Sequence, residues 1–152
     1  MKKEKVIGYT AGVYDMFHIG HLNIIRRAKK QCDYLIVAVS TDELVEKEKG
    51  KTPVIPYKER AEIIGALKYV DQVVPQINKK KVEAWEKYHF DKMFVGSDWK
   101  GSMQWKKYEE EFKTLGVEIV YLEYTDGISS TKLTRVIKNI LDDKYETINE
   151  QI

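Results

Sequence analysis

The sequence predicts a doubly wound α/β domain: a five-stranded, mostly parallel sheet with helices on both faces. Three observations predict it. Short runs rich in Val, Ile, Tyr and Phe alternate along the chain with segments whose apolar residues fall at helical spacing. The run at residues 34–39, Tyr-Leu-Ile-Val-Ala-Val, is apolar throughout, as expected of a strand covered on both faces. The 152 residues suit one layered domain of this kind.

Residues 6–10 are a short apolar run that ends at Ala11-Gly12, a strand running into a loop. Residues 20–31 carry Leu22, Ile24, Ile25 and Ala28 on one helical face, with Arg26, Arg27, Lys29 and Lys30 between them. With the strand at 34–39 they make a strand–helix–strand unit, and such a crossover is right-handed. Residues 40–56 are polar and charged, hold Gly50, Pro53 and Pro56, and read as a long loop. Residues 57–69 form a second amphipathic helix, and 72–75 a short strand with Pro75 at its end. A helix at 80–88, a strand at 92–95 and a helix at 104–115 closed by Gly116 follow. A strand at 117–122 and a helix at 130–141, capped by Ser129 or Ser130, complete the pattern. The domain is expected to span residues 1–141, with 142–152 a polar tail.

Composition narrows the class. Lys and Arg total 26 and Asp and Glu 24, a formal charge of +2. A dedicated duplex-DNA binder would carry a strong basic excess, so nucleic acid is not an expected partner. The single cysteine, Cys32, excludes an intramolecular disulfide and reads as a small buried hydrophobe. No apolar stretch approaches the roughly 18 residues of a membrane helix, and a cytoplasmic location is expected. Trp85 and Trp105 fall on predicted helices and are expected to pack; His89 reads as a surface or packing histidine.

In such sheets ligands bind beyond the carboxyl ends of the strands. The loop after the first strand reads Gly12-Val13-Tyr14-Asp15-Met16-Phe17-His18-Ile19-Gly20-His21. It places two of the three histidines where the first helix begins. A helix N-terminus presents free N–H groups to a phosphate, Gly20 permits close backbone approach, and two imidazoles can donate to phosphoryl oxygens. A zinc site is a weaker reading, because one cysteine and a distant His89 make a poor ligand set. Core packing is weaker too, because a Gly-flanked loop at the ligand end is a poor place for two polar rings. A second anion site is suggested by Gly127 followed by Ser129, Ser130 and Thr131 at a helix start; a plain N-cap with surplus hydroxyls would look the same.

The first loop resembles the G-x-F-D-x-x-H-x-G-H signature of the cytidylyltransferases, within the nucleotidylyltransferases that carry the HxGH motif. Thr125-Asp126-Gly127-Ile128-Ser129-Ser130-Thr131 resembles their second signature, R-T/S-E-G-I-S-T-T. Glu59-Arg60, Lys68 to Pro75 and Gly96-Ser97-Asp98-Trp99-Lys100-Gly101 are similar to the intervening E-x-R, R-Y-V-D-E-V-x-P and G-D-D-W-x-G segments. The match is collinear from about residue 5 to residue 140 and is nearest to the small form of the family that acts on glycerol 3-phosphate. Four departures stand out: Tyr124 where the second signature begins with Arg, Lys68 for Arg, Ser97 for Asp, and one extra residue before Arg60.

The resemblance implies a Rossmann-like fold and transfer of CMP from CTP to a phosphomonoester, with Mg²⁺ accompanying the triphosphate. It implies catalytic roles for His18, His21, Lys49 and Lys51, with Lys47 the competing alignment and more simply a solvated charge. It implies nucleotide binding by Gly12, Val13, Tyr14, Asp15, Gly20, Asp98, Tyr124, Thr125, Gly127, Ile128, Ser129, Ser130 and Thr131. Arg60, Asp71 and Trp99 are implied to bind the acceptor; Asp15 and Asp71 are implied to fix the first loop and the acceptor or metal. Asp98 either reads the cytosine amino group or caps a turn, and Trp99 either packs or touches ligand. A homodimer is implied, as is a place in teichoic acid or capsule synthesis. Competing readings are a choline- or ethanolamine-phosphate cytidylyltransferase, an adenylyltransferase such as FAD synthase, and a nucleotide-binding regulator without catalysis. Read as a missing charge, Tyr124 predicts that Tyr124→Arg tightens CTP binding by about 1 kcal/mol.

Overall fold

The computed structural model describes residues 5–125, 127 and 129–150, with side chains described as far as residue 142. Five strands lie parallel in the order β3-β2-β1-β4-β5: β1 (Ile7–Gly12), β2 (Tyr34–Ser40), β3 (Gln72–Gln76), β4 (Lys92–Gly96) and β5 (Glu118–Leu122). The chain leaves β1 toward β2 and β3, then returns across β1 to β4 and β5. That reversal opens a crevice above the carboxyl ends of β1 and β4.

The alternation within β2 shows why the sheet has two covered faces. Leu35, Val37 and Val39 are buried in one core with Ile25 and Ala28 of α1 (Ile19–Lys29). Ile36 and Ala38 point into the other, with Phe90, Trp105 and Phe112. Trp105 and Phe112 belong to α5 (Met103–Thr114), and Trp85 of α4 (Lys81–Tyr88) packs on the same core.

Three aspartates sit just before strands and latch neighbouring ones. Asp33 accepts from Val6 N–H at 2.7 Å, Asp91 from Ile7 N–H at 2.9 Å, and Asp71 from Leu35 N–H at 2.7 Å. Each carboxylate supplies an acceptor to a strand-entry N–H at the amino edge of the sheet, the edge opposite the crevice.

Three expectations are corrected. Residues 40–56 are not all loop: they contain α2 (Asp42–Lys49). Thr41 caps it by accepting from Leu44 N–H, Asp42 and Glu43 favour its positive N-terminal end, and Gly50 closes it at φ 67°. Its one buried pair, Leu44 and Val45, is hidden in the sequence among charges. The helix after it, α3 (Tyr57–Gly65), stops earlier than expected. The last helix, α6 (Ser130–Glu150), continues through most of the expected tail. The sequence supports this, since Leu141, Tyr145 and Ile148 keep helical spacing. No helix among the described residues is long and apolar enough to cross a membrane.

Candidate active site

The crevice is a cavity of about 470 Å³ between the first loop, the segment after α2, and the start of α6. Its centre is the histidine pair, and the local sequence explains its geometry. His18 is the N-cap of α1: its Nδ1 accepts from Gly20 N–H at 3.1 Å. His21 reaches back, its Nδ1 accepting from His18 N–H at 3.2 Å. The H-x-G-H spacing is thus a reciprocal capping box made from two imidazoles. The rings stack with centroids 3.9 Å apart. Tyr14 meets the His21 ring edge-on and Phe17 stacks on it, each with a centroid distance of 5.4 Å. Tyr14 and Met16 adopt positive φ of 55° and 47°, backbone that non-glycine residues rarely take. A Cβ on Gly12 would lie 3.0 Å from the Tyr14 ring, so glycine there lets that ring pack close to the loop.

This arrangement sets the protons. Because each Nδ1 accepts, each neutral ring carries its hydrogen on Nε2. Burial, with the neighbouring His18, lowers the His21 pKa to about 4 despite the opposing pull of Asp15, and burial lowers that of His18 as well. Both rings are therefore neutral Nε2–H donors at pH 7. His21 Nε2 lies 3.4 Å from Ser130 Oγ, which itself donates to the Asp15 carbonyl. His18 Nε2 is buried and has no hydrogen-bond partner among the described residues. A buried donor without an acceptor costs about 1–3 kcal/mol, so this atom is built for an acceptor that arrives with a ligand.

The other predicted residues divide by place. Lys49 and Lys51 flank the left-handed turn at Gly50 and both line the cavity; Lys47 does not. Asp15 lines the cavity but spends its carboxylate on Val54 N–H (2.8 Å) and Ile55 N–H (2.9 Å), tethering the lysine segment to the first loop. Gly12, Val13, Tyr14 and Gly20 line the cavity from the first loop. Thr125, Ser129, Ser130 and Thr131 line it from the second signature, where Ser129 Oγ accepts from Lys132 N–H at 3.0 Å. Asn23 of α1, unmarked in the sequence, donates to Thr125 Oγ1 at 2.8 Å and joins the two signatures. Tyr124 and Trp99 form an exposed aromatic end of the cavity; Gly127 and Asp98 lie outside its lining. Ile128 lies outside the described residues.

Arg60 and Asp71 require correction. Arg60, expected to reach a phosphate, is 1% exposed and does not line the cavity. Its Nε donates to Ile55 O (2.7 Å), Nη1 to Val13 O (2.7 Å) and Ser40 O (2.8 Å), and Nη2 to Asp42 (2.6 Å). It ties the first loop, the end of β2, α2 and the lysine segment into one frame. Asp71, expected at the acceptor or metal, lies at the opposite edge of the sheet, paired with Lys29 at 2.6 Å. Burial pushes its pKa up, but the Lys29 ammonium and the Leu35 N–H outweigh this and hold the carboxyl below its usual range.

A family model described as cytidylyltransferase-like matches residues 9–136. The chain is 38% identical to the glycerol-3-phosphate cytidylyltransferase of Staphylococcus aureus, over 82% of this chain and 89% of that protein. It is 36% identical to the enzyme of the same name from Bacillus subtilis, over 90% and 99%. It is also 34% identical to the FAD synthase of Pyrococcus abyssi, over 88% and 90%. A solved structure, the lipopolysaccharide core biosynthesis protein of Thermoplasma volcanium, superposes with a TM-score of 0.66 at 23% identity, covering 80% of this chain and 97% of that one. That likeness bears on the fold alone. A first loop that arms two neutral histidines at one helix start, a second that brings hydroxyls to another, and these matches lead to one conclusion: the chain belongs to the cytidylyltransferase-like family and is a nucleotidyltransferase.

Proposed function

We propose that the chain transfers CMP from CTP to glycerol 3-phosphate, giving CDP-glycerol and pyrophosphate. The observation that carries nucleotidyl transfer is the buried Nε2–H of His18, without a partner among the described residues, beside the N-termini of α1 and α6. The names of the relatives at 36–38% identity support CTP and glycerol 3-phosphate. An acceptor phosphate oxygen attacks the α-phosphorus; the bond from that phosphorus to the bridging oxygen breaks, and pyrophosphate leaves. No protein nucleophile is needed, so the residues act by positioning and by stabilising charge. His18 donates to an oxygen that gains charge in the transition state. Lys49 and Lys51 bring the acceptor phosphate against the repulsion of the triphosphate.

Mg²⁺ fits as a passenger on the triphosphate. The described residues hold no group of three or more His, Cys, Asp and Glu side chains able to bind an ion, and the Asp15 carboxylate is committed to backbone. Phosphate oxygens and water would supply its ligands. We further propose a cytoplasmic homodimer that supplies activated glycerol phosphate for polymer synthesis. The dimer is supported by an apolar stripe on α6, where Ile137, Ile140 and Leu141 are exposed at helical spacing. Light scattering at micromolar concentration tests it; a mass near 17.8 kDa would exclude it.

The FAD synthases at 32–34% identity favour a second reading, adenylyl transfer to a flavin phosphate. A pyrophosphate-release screen separates the two: CTP and ATP are each paired with glycerol 3-phosphate, phosphocholine, phosphoethanolamine and flavin mononucleotide. Turnover confined to CTP with glycerol 3-phosphate is the expected result, and turnover confined to ATP with the flavin overturns it.

A further inference from the structure

Asn23 is held at both ends of its amide. Arg26, three residues on in α1, donates from Nη2 to Asn23 Oδ1, and Asn23 Nδ2 donates to Thr125 Oγ1 at 2.8 Å. The two contacts fix each other. A guanidinium has no acceptor, so the amide atom that faces it is the oxygen, and the atom that faces Thr125 is the NH2 group. Arg26 thereby sets the sense of a bond between residues 102 apart in the chain, from the first helix to the segment after β5.

That sense decides what the threonine can do. The Asn23 amide takes a lone pair of the hydroxyl, so the hydroxyl hydrogen turns away from Asn23. Thr125 Oγ1 donates to no atom among the described residues. Thr125 lines the cavity that the histidine pair also lines; Asn23 does not line it. The second signature does not depend on the Asn23 bond for its place. Arg27 Nη1 donates to Glu123 O at 2.7 Å, and Ser130 Oγ donates to the Asp15 carbonyl, so the segment is tied on either side of Thr125. What the Asn23 bond adds to these tethers is the direction of one hydroxyl.

Resting on the nucleotidyl-transfer reading of the cleft, we propose that Asn23 is a positioning residue that turns the Thr125 hydroxyl into a hydrogen-bond donor for a phosphate oxygen of the nucleotide. The relay runs from Arg26 to Asn23 to Thr125, each member donating to the next, and it ends on an acceptor that arrives with the substrate. Such a chain suits an anion, because every dipole in it points its positive end the same way and a cation stands at its head. Asn23 and Arg26 both lie outside the two signatures, and they act on the ligand only through Thr125.

Asn23→Asp tests the sense of the relay at nearly constant shape. A carboxylate only accepts, so it keeps the Arg26 contact, draws the Thr125 hydrogen to itself and leaves a lone pair toward the phosphates. Calorimetric titration of CTP and of inorganic tripolyphosphate into the parent, Asn23→Asp, Thr125→Val and the double variant reads the effect. Asn23→Asp and Thr125→Val should each weaken both ligands about tenfold, the scale of one hydrogen bond to a charged acceptor. In the double variant the aspartate should cost less than about a further twofold, because its effect passes through a hydroxyl that valine lacks. Thr125→Ser keeps the hydroxyl and should bind as the parent does. Asn23→Ala leaves the hydroxyl free to rotate. It should cost about threefold with threonine present and nothing with valine, and it replaces Asn23→Asp in the cycle if that variant does not fold. Additive losses in the double variant overturn the proposal, since they mean a charge acting through space or a displaced loop. So does an Asn23→Asp variant with the parent's affinities. A parent that binds neither CTP nor tripolyphosphate refutes the nucleotidyl-transfer reading itself, whereas a parent that binds both, with an additive cycle, refutes the role of Asn23 alone.

Discussion

Arg60→Ala is expected to destabilise the protein by about 4 kcal/mol, a structural cost rather than the loss of a substrate contact. The guanidinium makes four hydrogen bonds, three to backbone carbonyls and one to Asp42. Removing one partner of a buried ion pair costs roughly 3–5 kcal/mol. A buried carbonyl left without a donor adds about 1–3 kcal/mol. Of the three carbonyls, the bond to Ser40 is fully buried, and those to Val13 and Ile55 are part-buried and can take water. Asp42 is 32% exposed and can be partly rehydrated, which keeps the total near the middle of the range. At roughly 2–4 °C per kcal/mol for a chain of this size, the melting temperature should fall by about 8–16 °C. Arg60→Lys can restore the Asp42 pair and one carbonyl bond, and should recover about half of the loss. Urea denaturation and thermal melting read the stability, and steady-state kinetics on both variants read the site. If Arg60→Ala stays within about 1 kcal/mol of the parent while the acceptor KM rises more than tenfold, the frame role is refuted and Arg60 touches substrate.

His18→Ala and His21→Ala should each lower turnover by about 10²–10³-fold, the usual loss of one transition-state donor. Each should also cost about 1 kcal/mol as a lost helix cap, so single-turnover rates and melting curves are read together. The stability of the ligand-free protein should fall on acidification from about pH 6.5 toward 4. The folded His21 pKa of about 4 lies below the ordinary 6.5, so the unfolded chain takes up a proton that the native ring refuses. The contribution is complete above pH 6.5, and the loss between urea midpoints at pH 7.5 and 5 should shrink in His21→Gln. Asp71→Asn should leave KM for both substrates within about twofold and lower stability by about 1 kcal/mol, since it breaks a half-exposed pair with Lys29 and weakens a strand latch. A KM change without a stability change would return Asp71 to the substrate.

Most of the scaffold was legible because its signals are local. The unbroken apolar run of β2, the helical spacing of Ile25 and Ala28, and Gly116 after α5 each state a preference that no distant residue overrides. Helix α2 is not legible in the sequence because its cap and its closing glycine surround only two buried side chains. The latching aspartates carried a readable signal, an acid directly before each strand, yet their partners lie 27 to 84 residues away. The histidine pair was legible as a motif, and the structure adds that its two rings cap the start of α1 reciprocally.

The sequence by itself determined the alternation of strands and helices, the two signature loops, and the side chains available for phosphate chemistry. Only the tertiary structure decided which side of the sheet each charge occupies. Asp71 and Arg60 look alike in sequence as charged residues within family segments. The parallel run of β3 puts Asp71, directly before it, at the amino edge away from the crevice, and packing encloses Arg60. Tyr124 reads in sequence as a missing charge, and the approach of β5 to Gly96 sets its phenol against the end of β4, where it lines the cavity. Side-chain type is local information, but whether a charge meets solvent, backbone or ligand depends on segments brought together from far along the chain. The chain's own pattern does not encode that encounter until it folds.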